Sequence, residues 1–181
     1  MRLDLLCHSS IENCSVAGIT LRYIWQTADQ LRLEFQAEGD VDLWQLPDPV
    51  LPQRCDNLWR TSCFELFAKD QSTGEYCEFN FSPSRQWAAY QFLDYRKDMQ
   101  DMTVPTPPVI TRDQSLAHFT LNVELRLPAI WSRRTLQANF SAIIAEKDGT
   151  QSFWALNHPP GKPDFHHRDC FTHQLKAAEH L

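Results

Sequence analysis

The sequence predicts an all-β chain folded as an antiparallel β-sandwich, of jelly-roll or immunoglobulin-like type, in a single domain over residues 1–181. Three observations predict it. Apolar and polar residues alternate along many short segments, the two-residue period of a strand with one buried face. No segment keeps the apolar spacing of a long amphipathic helix. The five glycines and eleven prolines are scattered over turns and gather in no linker, which leaves no domain boundary to place.

Taken in order, Ile19, Leu21, Tyr23 and Trp25 alternate with polar partners, and so do Leu31, Leu33, Phe35 and Ala37 beyond Thr27-Ala28-Asp29-Gln30. The pattern predicts a hairpin. A proline-marked loop covers Pro47 to Asp56. The block from Leu58 to Arg96 holds two strands around the turn Gln71-Ser72-Thr73-Gly74. On the second, Cys77, Phe79 and Phe81 alternate with Glu78, Asn80 and Ser82. One face enters a core while the other aligns hydrogen-bonding groups. The piece Ser84–Ala89 reads as strand or as a helical turn. Three prolines between Thr103 and Pro108 mark a loop or a sheet edge. Ala117, Phe119, Leu121, Val123, Leu125 and Leu127 form the cleanest strand pattern and are expected to face one core. Ala129 to Arg134 suits a short helix, and Ala138, Phe140, Ala142 and Ile144 a strand. Asp148-Gly149 is a hairpin turn into Phe153-Trp154-Ala155-Leu156. A last short strand is expected near Phe171 to Leu175. The count comes to about eight to ten strands.

Composition narrows the function. A net charge of −6 without a Lys/Arg block disfavours nucleic acid and anionic membranes as partners. The apolar stretch Leu5-Leu6-Cys7 is too short for a secretory signal, and no run is long enough for a membrane span. The cytoplasm is the default compartment. None of the six cysteines forms a C-x-x-C pair, so zinc ribbons, thioredoxin-like motifs and covalent haem attachment are excluded.

At this point the chain resembles the DOMON-like β-sandwich proteins, a group related to family 9 carbohydrate-binding modules. The resemblance rests on LWRTSCFELF (58–67), YCEFNFSPSRQWAAYQFLDYR (76–96) and WALNHPPGKPDFH (154–166), and it spans roughly Ile19 to Leu175. It implies ligand binding without catalysis, with a sugar clamped between two tryptophans and edged by Glu, Asn and Arg. It assigns Trp59 and Glu65 as one tryptophan and its acidic partner. Trp154 and Asn157 are its matches for the second aromatic and an amide. Other DOMON domains bind haem through Met and His.

The residues themselves leave alternatives open. Trp59, Arg60, Glu65, Glu78, Asn80, Trp87 and Arg96 suit a sugar, whose C–H face packs on aromatic rings while carboxylates and amides take its hydroxyls. Equally, the tryptophans fill core and Glu78 pairs with Arg60 or Arg96, since a buried charge needs a partner. His158, Asp164, His166, His167, Asp169 and His173 match no metal motif, and Asp164 and His166 suit pinning of a proline-rich loop. Haem would need Met99 or Met102 with His158 or His166. Glu65 and Glu78 invite a glycosidase reading, but no catalytic elbow or phosphate loop accompanies them. The leading expectation is a binding module for a small polar ligand, a sugar or sugar derivative, with no cofactor and no metal. A glycoside-acting enzyme, a haem carrier and a protein-interaction domain are the alternatives. His158 and His166 join the candidate ligand-binding set.

Neither a signal segment nor a metal spacing calls for a crosslink. After denaturation all six cysteines should titrate as free thiols, with none bridging Cys63 to Cys77. A stoichiometric bridge in a non-reducing mass map would refute this.

Overall fold

The computed structural model describes residues 1–132 and 134–176. Strands account for 49% of the described residues and helix for 7%, so the fold is all-β. Twelve strands are described: β1 (Arg2–Cys7), β2 (Val16–Trp25), β3 (Gln30–Gly39), β4 (Cys63–Asp70), β5 (Tyr76–Phe81), β6 (Trp87–Phe92), β7 (Gln100–Asp101), β8 (Val109–Gln114), β9 (His118–Arg126), β10 (Leu136–Ala145), β11 (Gln151–Ala155) and β12 (His173–Leu175). A single-turn helix, α1 (Ala129–Ser132), follows β9. Twelve exceeds the eight to ten read from the sequence, because β1, β7 and β8 carry no alternation. Of Ser84–Ala89, only Trp87–Ala89 belong to strand β6; Ser84–Gln86 lie in the turn between β5 and β6.

All twelve strands pair antiparallel. They run in the spatial order β7-β6-β5-β4-β10-β11-β1-β2-β3-β9-β8, with β12 beside β10. Strand β1 is the seam. Its residues Arg2 to Leu5 pair with β2, while Leu6 and Cys7 pair with β11. The sheet therefore folds back on itself into two layers.

Between the layers lies the main core. Leu21, Leu33, Phe35, Phe119, Leu121 and Val123 fill it from one side, and Phe64, Leu66, Phe79, Phe81 and Phe140 from the other. Phe64 of β4 reaches across to the opposite layer, with ring centroids 5.2 Å from Phe35 and 5.8 Å from Phe119. The β9 pattern holds from Phe119 to Leu127, all fully buried. Ala117 is the exception and is exposed. It precedes β9 in a turn where Ser115 Oγ accepts from the amides of Ala117 and His118.

The layer built on β4, β5, β6, β10 and β11 is covered on its second face as well. There a smaller cluster, including Leu58, Cys63, Phe67, Tyr76, Tyr90, Phe92, Ile143 and Phe165, packs beneath loops. Each residue of β5 is accordingly buried, on both faces of the strand. The covering segments are the turn Leu58–Arg60 and the loops at 93–99 and 157–170.

Phe64→Ala would open a cavity where two layers meet. It should cost about 3–5 kcal/mol, read as a lower urea midpoint with an unchanged slope. A loss under about 1 kcal/mol would show that the two layers are not held together there.

Candidate functional site

The register of the covered layer fixes what faces its loops. One cross-strand row reads Ala88, Asn80, Glu65, Ser141, Ala155 across β6, β5, β4, β10 and β11. The adjacent row reads Asp101, Tyr90, Glu78, Phe67, Asn139 from β7 to β10. Glu65 stands opposite Asn80, and Glu78 opposite Phe67. The two glutamates are thus diagonal neighbours on one face, about 7–8 Å apart at their Cα atoms. This face borders a cleft of about 790 Å³, lined by Trp59, Phe67, Tyr90, Phe92 and Phe153, with Glu65 and Glu78 among its polar lining residues.

The glutamates are 3% and 6% exposed. Ser141 Oγ donates to Glu65 Oε2 at 2.8 Å, and Asn80 Nδ2 donates to Glu78 Oε1 at 2.7 Å. Asn80 Oδ1 accepts the Cys63 thiol at 3.8 Å, which fixes the amide orientation. Among the described residues, no donor comes within hydrogen-bonding distance of the other oxygen of either glutamate. Burial pushes both carboxyls up, Glu65 to about 8 with a further push from the Glu78 charge, and Glu78 to about 7. The pair titrates as a unit, and burial makes it retain a proton to higher pH than free carboxyls do.

His166 forms the wall beside Glu78. Burial, and then the Arg96 charge, push it down to about 4, so the ring is neutral. Its Nδ1 lies 2.9 Å from the Tyr76 hydroxyl, which already accepts from the Arg96 amide at 3.0 Å. The assignment that satisfies all groups has Tyr76 O–H donating to Nδ1. The Nε2–H then faces Glu78 Oε2 at 3.6 Å. Edge-on contacts with Phe67 and Phe92, at 5.0 and 5.3 Å, hold the ring.

Arg96 does not reach the glutamates. Its guanidinium donates to Asp164 Oδ1 at 2.8 Å, and Tyr95 donates to Asp164 Oδ2 at 2.6 Å. Burial alone would raise Asp164, but the hydrogen bonds from Tyr95 and Arg96 and the Arg96 charge bring it below its ordinary value. This knot closes the 157–170 loop onto the turn after β6. The expected pinning of that loop by Asp164 and His166 is what the structure contains.

Four expected site residues lie elsewhere. Trp154 points into the main core at 5% exposure, its indole N–H donating to Ser152 Oγ. Adjacent strand residues face opposite ways, so Phe153 takes the cleft side. Arg60 lies over the Trp59 ring at 5.5 Å and pairs with neither glutamate. Asn157 donates to the Asp169 carbonyl, and His158 Nε2 bonds the Leu6 carbonyl; both brace loops away from the cleft. Of the three tryptophans near the block, Trp44 and Trp87 are core at 2% and 6% exposure, and Trp59 is half exposed at 50%. Met102 is also core, so of the two methionines considered for haem only Met99 borders the cleft.

Ser141, Tyr90, Asp56 and Phe153 were not anticipated. Tyr90 donates to Asp56 at 2.7 Å, linking β6 to the rim. Ser141 was within reach of sequence reasoning, since it falls between the core positions Phe140 and Ala142 of β10.

No family model matches the chain, and no curated protein matches it. Solved structures do. One, described as a "putative carbohydrate-binding protein" from Bacteroides uniformis, superposes with a TM-score of 0.67 at 11% identity, over 94% of this chain and 84% of that one. A family 9 carbohydrate-binding module from Caldicellulosiruptor kristjanssonii in complex with glucose gives 0.48 at 10% identity, over 83% and 72%. A module of that family from the same organism, with cellotriose, gives 0.47 at 11%, over 89% and 74%. The first likeness establishes a shared β-sandwich fold.

The glutamate pair should make stability pH-dependent. A carboxyl raised in the folded state stabilises the fold fully below its unfolded value, and that contribution is lost as pH rises through the folded value. For Glu65 and Glu78 the loss falls between pH 4.5 and about 8. His166 acts oppositely, its contribution fading from 6.5 down to about 4. Glu65→Gln removes one buried charge. At pH 8.5 it should be more stable than wild type by about 1–2 kcal/mol, or about 3–6 °C in melting temperature, with a smaller gain at pH 6. Equal or lower melting at pH 8.5 would contradict the buried pair.

Proposed function

We propose that the protein binds a small polar ligand, a sugar or sugar derivative, in the cleft between Trp59 and the floor of β4 and β5, without catalysing its conversion. The observation that carries the reading is the pair of buried carboxylates, each with one oxygen open to an aromatic-walled cleft. Acceptors held in place at the bottom of an apolar pocket fix a ligand's orientation, and rings take its C–H faces. The half-exposed Trp59 ring is the natural platform. The shared fold of the Bacteroides protein, described as putatively carbohydrate-binding, agrees with this reading.

Binding rather than turnover suits the surroundings of the glutamates. Ser141 and Asn80 each hold one oxygen, which fixes the carboxylates as acceptors at the floor of the cleft. A ligand held by one or two rings and a few solvent-competing hydrogen bonds should bind at about −4 to −6 kcal/mol, or about millimolar to tens of micromolar.

Trp59→Ala should weaken binding roughly tenfold, through loss of the stacking surface, and leave the melting temperature nearly unchanged because half of the ring is in solvent. Calorimetric titration with a glycan panel, beside a thermal melt of the variant, reads both. Unfolding of Trp59→Ala would make the ring structural. Slow glycoside hydrolysis abolished by Glu65→Gln would overturn the non-catalytic assignment.

A further inference from the structure

The cleft is acidic in a way that a neutral ligand does not use. Asp56, Asp101, Asp164, Glu65 and Glu78 line it, against the single cation Arg96. The three aspartates are already engaged. Asp56 accepts from Tyr90, Asp164 holds Arg96, and Asp101 lies 3.5 Å from Arg54. The two glutamates are not engaged by any cation. Each is more than nine-tenths buried and both border the cavity; the second oxygen of Glu65 has no donor among the described residues, and that of Glu78 faces only the neutral His166 Nε2, at 3.6 Å. Arginine is present nearby but is turned onto Asp164. The positive charge these carboxylates lack therefore has to enter with the ligand, or else a proton takes its place.

Aromatic walls sharpen the chemistry. Trp59, Phe67, Tyr90, Phe92 and Phe153 present ring faces or edges to the same space, and such faces attract an organic cation as well as a sugar's C–H bonds. A metal ion is a poor fit, because no group of three or more His, Cys, Asp or Glu side chains able to hold one occurs among the described residues. An ammonium group fits well. It carries three N–H donors and no acceptor, which matches carboxylate oxygens on neighbouring strands.

Resting on the reading that the cleft binds a sugar, we propose that the sugar is an amino sugar, with its protonated amine seated between Glu65 and Glu78. The amine takes the place of the proton that the pair holds in the empty site, so binding releases a proton. The other charged or titratable groups facing the pair are Cys63 from β4 and Tyr76 from β5, both pushed up by burial and so neutral, Tyr90 and Asp101 from β6 and β7, Asp56 from the loop before β4, and Arg96, Asp164 and His166 from the covering loops. His166 is neutral near pH 7 and the aspartates keep their partners, which leaves the glutamates as the groups that respond. A neutral sugar has the opposite preference, since it is better received by the protonated pair than by two bare charges.

The test is calorimetric titration of wild type and Glu65→Gln at pH 6.0 and 7.5. The probes are glucosamine, galactosamine and mannosamine, each beside its neutral parent sugar and its N-acetyl form. Spermidine and choline serve as amines without a sugar ring. At least one amino sugar should bind about tenfold or more tightly than its parent and its N-acetyl form at pH 7.5. Its affinity should be higher at pH 7.5 than at 6.0, and the heat should depend on the buffer's ionisation enthalpy, as proton release requires. Glu65→Gln should reduce the preference for the amine while the thermal melt shows an intact fold. If neutral sugars bind as tightly as their amino counterparts, the amine assignment falls and the sugar-binding reading stands. If no sugar of either kind binds, the sugar-binding reading falls and takes this inference with it, whether or not spermidine or choline binds.

Discussion

One sheet layer is buried on both faces, and the functional reading follows from that constraint. Strands β4, β5 and β10 present Phe64, Leu66, Phe79 and Phe140 to the main core. The second face is then closed by loops rather than by another sheet. Loops cover a surface imperfectly, and the gap they leave is the cleft. Its floor carries Glu65, Glu78, Asn80 and Ser141 in the middle of an otherwise apolar surface. Polar groups at that depth cost free energy unless they are paired. The structure pairs half of their capacity and leaves the rest facing the cavity, which is the arrangement of a site more than of a core.

The parts of this that were legible in the sequence share one property: a strand with one apolar and one polar face. Strands β2, β3 and β9 have it, and so does the hairpin β4–β5 around its turn. That pattern placed Glu78 and Asn80 together on the face opposite Phe79. Where both faces are apolar, or neither is, the period vanishes. β6 reads WAAYQF with apolar residues on both sides, so strand and helix looked alike. β8 is an edge strand with only Ile110 buried. β1 divides its pairing between the two layers, and neither half is long enough to show a period.

The same limit explains the misplaced tryptophan. β11 sets Phe153 beside Trp154, and both of its faces are apolar. Alternation says that one ring enters the core and the other the cleft, but not which. The decision comes from register: Trp154 lies opposite Ala142 of β10, a core position, and Phe153 opposite Ile143, which faces the loops. Non-local pairing of this kind is invisible to a single segment. The Asp164 knot is non-local too, since its partners Tyr95 and Arg96 lie 69 and 68 residues away.

That knot also determines the electrostatics of the floor. An arginine beside two buried glutamates would ordinarily neutralise them and turn the site into an internal ion pair. Here Arg96 takes a left-handed backbone, with φ at 52°, and its amide is tied to the Tyr76 hydroxyl. The guanidinium is thereby directed to Asp164, which Tyr95 holds in place. His166, neutral through burial and the Arg96 charge, stands 3.6 Å from Glu78 Oε2 without supplying a charge. One set of contacts thus locks the covering loop and commits the Arg96 guanidinium to Asp164, so that its charge reaches the glutamates only across a distance and does not cancel the rise that burial imposes on them.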